Sequence, residues 1–113
     1  MASTVLIVDD DATFRDAARL LLEIEGYDVV GEAADGESGV RRAAELAPDL
    51  VLLDVQMPGM NGLEAATRIT AAAGGPSVVI TSSQEGIDVA GTGARGFIPK
   101  AELSGERIAA LLA

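Results

Sequence analysis

Three short runs in this chain are apolar without interruption: Val5-Leu6-Ile7-Val8, Leu50-Val51-Leu52-Leu53 and Val78-Val79-Ile80. A strand with one wet face alternates apolar and polar residues. An unbroken run of branched aliphatics instead marks a strand buried on both faces, as in a parallel sheet covered by helices on either side. Parallel neighbours need a crossover, so the sequence between the runs should be helical.

The intervening sequence fits. Phe14, Ala18, Leu21 and Leu22 recur at helical spacing, any of the preceding Asp9, Asp10 and Asp11 can cap that helix, and Gly26 suits its C′ position. Tyr27 to Ala33 reads as a second strand, less apolar and so nearer an edge. Glu37 to Ala47 is an alanine-rich helix closed by Pro48. A loop from Asp54 to Gly62 leads into a helix through Leu63, Ala66 and Ile69, broken at Gly74-Gly75-Pro76. Alternation then predicts a helix over Gln84 to Ala94. Gly86, Gly91 and Gly93 each cost it about 1 kcal/mol relative to alanine, so a short or frayed helix is expected. Gly96-Phe97-Ile98 is a brief fifth strand and Leu103 to Ala113 a last short helix. These are five βα units in a single domain over 1–113.

In a parallel sheet of this kind, ligands bind outside the carboxyl ends of the strands. The residues at those ends are Asp9, Asp10 and Asp11 after the first strand, Asp54 after the third, Thr81 and Ser82 after the fourth, and Lys100 after the fifth. Carboxylates brought together raise one another's pKa unless a cation joins them. A hard cation such as Mg2+, which accepts carboxylates, a carbonyl and waters, suits that set. A carboxylate beside it is a plausible nucleophile toward a phosphoryl group, whose oxygens the cation, an amine and a hydroxyl would stabilise. Taken singly, the same residues have plainer roles: the acidic triplet as helix caps, Lys100 as a surface lysine, Phe97 as core packing.

Composition removes other classes. Without cysteine or histidine there is no disulfide, no typical zinc site and no histidine-based nucleophile activation. A formal net charge of −10 disfavours direct binding to nucleic acid or an anionic membrane. No apolar run approaches the roughly 20 residues of a membrane span, and a cytoplasmic location is expected. Seven of the eight basic residues are arginine, which makes Lys100 the single lysine. A lone ammonium at a strand end is a compact point charge where a guanidinium would be a planar fork.

Four motifs in order, Val-Asp-Asp-Asp at 8–11, Leu-Asp-Val-Gln-Met-Pro-Gly-Met-Asn-Gly at 53–62, Ile-Thr-Ser at 80–82 and Gly-Phe-Ile-Pro-Lys at 96–100, make the chain resemble a receiver domain of two-component response regulators over essentially its whole length. The resemblance implies a flavodoxin-like, doubly wound (βα)5 fold with strand order 2-1-3-4-5. It implies that Asp54 accepts the phosphoryl group, that Asp9 and Asp10 hold Mg2+ together with Asp54 and the Gln56 backbone carbonyl, and that Lys100 pairs with Asp54 and later with a phosphoryl oxygen. Thr81 would move its hydroxyl onto that group, held also by the backbone amides of Val55 and Ser82. Phe97 would be the switch aromatic turning into space that Thr81 vacates. The implied partners are a histidine kinase or phosphotransfer protein, an output domain or effector, and possible homodimerisation on activation. Catalysis would be confined to the domain's own phosphorylation and dephosphorylation.

Two departures stand out. The interval from Thr81 to Lys100 is short for the family, with the shortfall in the fourth helix, and Ala101 follows Lys100 where the family commonly has proline. The glycine-rich fourth helix admits an alternative, a pseudo-receiver that binds without phosphorylation. A second alternative is a haloacid-dehalogenase-like phosphatase, which Asp9-Asp10-Asp11-Ala12-Thr13 would fit with Asp9 as nucleophile and Asp11 as acid-base. That family needs further acidic metal ligands beyond its lysine, and it would leave Asp54 without a role.

Overall fold

The computed structural model describes residues 3–72 and 74–113. The three apolar runs are β1 (Thr4–Val8), β3 (Leu50–Asp54) and β4 (Ser77–Ser82), the three inner strands of a five-stranded parallel sheet in the order β2-β1-β3-β4-β5. β2 (Asp28–Ala33) and β5 (Gly96–Pro99) form its edges. Every residue from Val5 to Val8 and from Leu50 to Leu53 is at most 1% exposed, as burial on both faces demands.

The pleat divides those side chains between two cores. Leu6, Val8, Val51, Leu53, Val78 and Ile80 face α2 (Gly36–Leu46) and α3 (Gly62–Ala71). Val5, Ile7, Leu50, Leu52 and Val79 face α1 (Ala12–Ile24) and α4 (Gly105–Leu112). Full burial of one such side chain stabilises the fold by about 1.5–3 kcal/mol.

Each helix starts on a polar cap. Asp11, Asp35, Asn61 and Ser104 accept from the amides of Thr13, Ser38, Glu64 and Arg107. α1 is capped by Glu25, and Gly26 follows in the left-handed region at φ 96°, as its sequence position suggests. No helix among the described residues is long and apolar enough to cross a membrane.

The fourth crossover differs from expectation. Gln84 to Ala94 forms no helix, short or frayed; between β4 and β5 the chain runs through turns and bends. Gly86, Gly91 and Gly93 stand at φ 72°, 80° and 80°, values a right-handed helix does not contain. Buried Thr92 fixes the loop instead: its amide and hydroxyl both donate to the Val89 carbonyl, and its hydroxyl accepts from the Ala94 amide. Ile87, Val89 and Ala94 pack onto the α2/α3-side core in place of a helix.

Register brings the strand ends level. Val8 pairs with Leu53, so Asp9 comes next to Asp54; Asp54 itself pairs with Thr81, Thr81 with Ile98, and Ser82 with Pro99. Lys100 follows Pro99, at the start of a short 3-10 turn, Lys100–Glu102.

Candidate phosphoryl-acceptor site

The turn after β1 is held from several sides. The Asp9 amide donates to the Ala33 carbonyl at 3.0 Å, extending the β1–β2 ladder by one bond. Asp9 Oδ1 accepts from the Asp11 amide at 2.8 Å, and Asp11 then caps α1. Asp9 is fully buried, Asp54 nearly so, and Asp10 exposed. Carboxylate oxygens of these three residues lie within 4.8 Å of one another.

Lys100 is the cation facing this group. Its Nζ lies 2.8 Å from Asp9 Oδ2 and 3.6 Å from Asp54 Oδ1, so at rest it is nearer Asp9 than the expected partner Asp54. At 2.8 Å the ammonium is the one partner of Asp9 Oδ2 among the described residues. One ammonium does not neutralise three carboxylates. Burial and the neighbouring Asp9 push the Asp54 carboxyl up to about 6, with Lys100 pulling the other way. Burial alone would lower the Lys100 ammonium, but Asp9 and Asp54 outweigh it and hold the group above the ordinary lysine value.

The donor set fits a hard divalent cation. It is all oxygen, under-neutralised, and closed on one side by buried strand ends while Asp10 keeps it open to solvent. Gln56 is exposed and lines an open groove together with Asp10, Val55, Met57, Asn61 and Leu63. The wall behind that groove depends on Gly62, whose amide donates to the Val55 carbonyl at 2.8 Å. A Cβ at Gly62 would stand 2.0 Å from the Asp54 carbonyl oxygen, so nothing larger than glycine lets α3 approach the end of β3.

The remaining residues named from the sequence are also located. Thr81 is buried beside Asp54, and its Oγ1 has no hydrogen-bond partner among the described residues. Ser82 is buried, and its hydroxyl accepts from the Gln84 amide at 3.0 Å. The Val55 amide is engaged in this conformation, donating to the Thr81 carbonyl at 3.1 Å. Phe97 is half-buried against the α2/α3-side core, in register with Ile80 rather than Thr81. Nothing in this geometry favours the phosphatase alternative: Asp11 is spent as a helix cap, and the carboxylate that joins Asp9 and Asp10 is Asp54.

Two residues at the site carry no role in the sequence analysis, where Phe14 is only a helix position and Arg15 is not named. The Phe14 ring lies under the Lys100 ammonium, with Nζ 4.3 Å from its centroid. Arg15 donates to the Asp9 carbonyl at 2.6 Å. Both follow the acidic triplet on the first turns of α1; an aromatic and an arginine so close behind strand-end acids were the only available signal.

Known proteins share this chain's sequence pattern and fold. The family model described as the response regulator receiver domain matches residues 5–112. The transcriptional regulatory protein YdfI of Bacillus subtilis is 40% identical over 103 residues, covering 85% of this chain and 47% of that protein. The DNA-binding response regulator MtrA of Mycobacterium tuberculosis is 40% identical over 91 residues, 79% of this chain and 39% of that protein. The chain thus spans less than half the length of these curated relatives. Among solved structures, a two-component response regulator of the LuxR family from Aurantimonas superposes with a TM-score of 0.87 at 31% identity, over 99% of this chain and 86% of that one. The CheX-CheY-BeF3-Mg complex from Borrelia burgdorferi gives a TM-score of 0.84 at 28% identity, over 97% and 86% of the two chains.

Proposed function

The chain belongs to the response regulator receiver family, the phosphorylation-controlled switches of two-component signalling, and on that premise we propose that Asp54 is its phosphoacceptor. The observation that carries this assignment is the nearly buried Asp54 carboxylate, gathered with Asp9 and Asp10 within 4.8 Å and faced by the one lysine of the chain.

Asp9, Asp10, Asp54 and the Gln56 carbonyl would hold Mg2+, which when bound supplies charge neutralisation at the transferring phosphoryl oxygens. An Asp54 carboxylate oxygen attacks phosphorus; the bond from phosphorus to the donor, a phosphohistidine on a kinase or phosphotransfer protein, breaks, and the imidazole leaves with its electron pair. Asp54 must be ionised to attack, and a group titrating near 6 is mostly so at neutral pH. Lys100, already between Asp9 and Asp54, would shift its ammonium onto a phosphoryl oxygen. The free Thr81 hydroxyl would donate to another, with the amides of Ser82 and, once released from the Thr81 carbonyl, Val55. Phe97 would follow Thr81 and alter the surface around β5 and α4. The new charge biases an existing two-state surface rather than building another.

The names of YdfI and MtrA point to output on DNA. With a net charge of −10, this segment is not the DNA-binding part of such a protein. It would instead pass its state to an output domain or effector, or to a second copy of itself.

Incubation with Mg2+ and acetyl phosphate, followed by intact-mass measurement and peptide mapping, tests the assignment. An adduct is expected on Asp54 and none in Asp54→Ala. Lys100→Ala should still label but fail to switch, and Asp10→Ala should bind Mg2+ more weakly. An adduct on Asp9, or labelling retained in Asp54→Ala, would overturn the reading.

A further inference from the structure

Asp9 and Asp10 are joined by a peptide whose position nothing on β1 itself secures, because the strand ends at Val8. Its carbonyl lies off the ladder, and the group that takes it is Arg15 Nη1 at 2.6 Å, a charge-assisted bond reaching back from the first turns of α1. Arg15 is itself fixed: its Nε donates to Glu32 Oε1 at 2.9 Å, and only 19% of its side chain is exposed. Glu32 stands on β2 directly before Ala33, whose carbonyl accepts the Asp9 amide. Neighbouring residues of one edge strand therefore grip the acidic turn, Ala33 directly and Glu32 through Arg15. The second carboxylate oxygen of Glu32 takes Arg19 Nε at 2.9 Å, and Arg19 makes no contact with the acidic turn.

We propose that Arg15 is a positioning residue for the cation site: by fixing the Asp9 carbonyl it sets the peptide from which the Asp10 carboxylate reaches the metal. The inference rests on reading Asp9, Asp10 and Asp54 as a Mg2+ site. It carries a sign that separates geometry from charge. A guanidinium near a dication is repulsive, so if Arg15 acted by charge alone, removing it would tighten Mg2+. If it acts by holding the turn, removing it weakens Mg2+, and partners of metal ligands commonly change affinity by about ten-fold or more.

Mg2+ alone is titrated into the 15N-labelled wild-type chain, Arg15→Met, Arg15→Lys and Arg19→Met, following the amide resonances of Asp10 and Asp54, with urea unfolding of each variant measured alongside. Arg15→Met should bind Mg2+ about ten-fold more weakly, with Arg15→Lys between it and wild type. Arg19→Met should lose comparable stability, since it cuts the same α1–β2 link, yet keep wild-type affinity. Unchanged or tighter binding in Arg15→Met, or equal weakening in Arg19→Met, would overturn the proposal. A wild-type chain that binds no Mg2+ would overturn the cation reading and the proposal with it, whereas wild-type binding with an unaffected Arg15→Met overturns the proposal alone. Should Arg15→Met not fold, Arg15→Lys decides: it keeps the positive charge but loses the fork that spans Glu32 and the Asp9 carbonyl, and must weaken Mg2+ for the proposal to stand.

Discussion

Thr70 on α3 ties down the crossover from β4 to β5: its Oγ1 lies 2.6 Å from the Thr92 carbonyl and 2.8 Å from the Ala66 carbonyl of its own helix. A hydroxyl has one proton, so the two carbonyls share it. The contact anchors a helix-free loop to a helix, where the other crossovers are held by their own helical hydrogen bonds.

Thr70→Val should therefore loosen the loop without melting any helix. The expected loss is about 1 kcal/mol in urea unfolding, the net worth of one such bond, with helical circular dichroism unchanged. Hydrogen exchange should accelerate at the Thr92 and Arg95 amides, which bond to the Val89 and Val78 carbonyls.

Two glycine substitutions should rank sharply. A Cβ at Gly62 would meet a backbone oxygen at 2.0 Å, which cannot yield without moving the end of β3; Gly62→Ala should cost about 3 kcal/mol or more. At Gly39 the nearest atoms are the two Val8 methyls at 2.8 and 3.0 Å, on a stiff, buried side chain rather than on backbone, and alanine regains about 1 kcal/mol of helix propensity. Gly39→Ala should then cost about 1–2 kcal/mol, clearly less than Gly62→Ala, by the same assay.

The raised Asp54 carboxyl makes stability pH-dependent when a chelator removes divalent ions. Its folded value of about 6 exceeds its unfolded 3.8, so the folded state binds the proton more tightly and loses stability as pH rises between those values. Asp54→Asn lacks that loss. It should match wild type below about pH 4 and exceed it by up to about 3 kcal/mol once pH has risen past about 7. A difference independent of pH in urea unfolding would show that Asp54 titrates normally.

Because Lys100 is the only lysine, its titration can be followed by NMR without assignment ambiguity. The ammonium should titrate above the ordinary lysine value, and the stability from its pairing should be lost as pH rises through that folded value. In Phe14→Leu the titration should move down, toward the ordinary value, because the ring face no longer favours the charged form; the stability cost should be about 0.5–1 kcal/mol.

What is legible in the sequence follows from where the information lies along the chain. β1, β3 and β4 could be read because burial on both faces writes an unbroken apolar run, and a parallel sheet then sends Asp9, Asp54, Thr81 and Lys100 to one edge. The crossover before β5 could not, because alternation argues for a helix while three left-handed glycines and the Thr70–Thr92 contact decide otherwise. Phe14 fits the helical stripe of α1 equally well as core, and only β5 laid beside β4 brings Lys100 over its ring. Arg15 reads as a surface cation until Glu32 and the Asp9 carbonyl are found on either side of it.

The Thr81 hydroxyl has a kinetic meaning. A buried donor already bonded elsewhere must first break that bond before serving a new acceptor, which adds to the barrier for any rearrangement. Thr81 Oγ1 is buried with no partner among the described residues, so the unmodified form carries the desolvation penalty of an unanswered hydroxyl. An anion arriving on Asp54 would relieve that penalty at once, and the first movement of the response would run downhill.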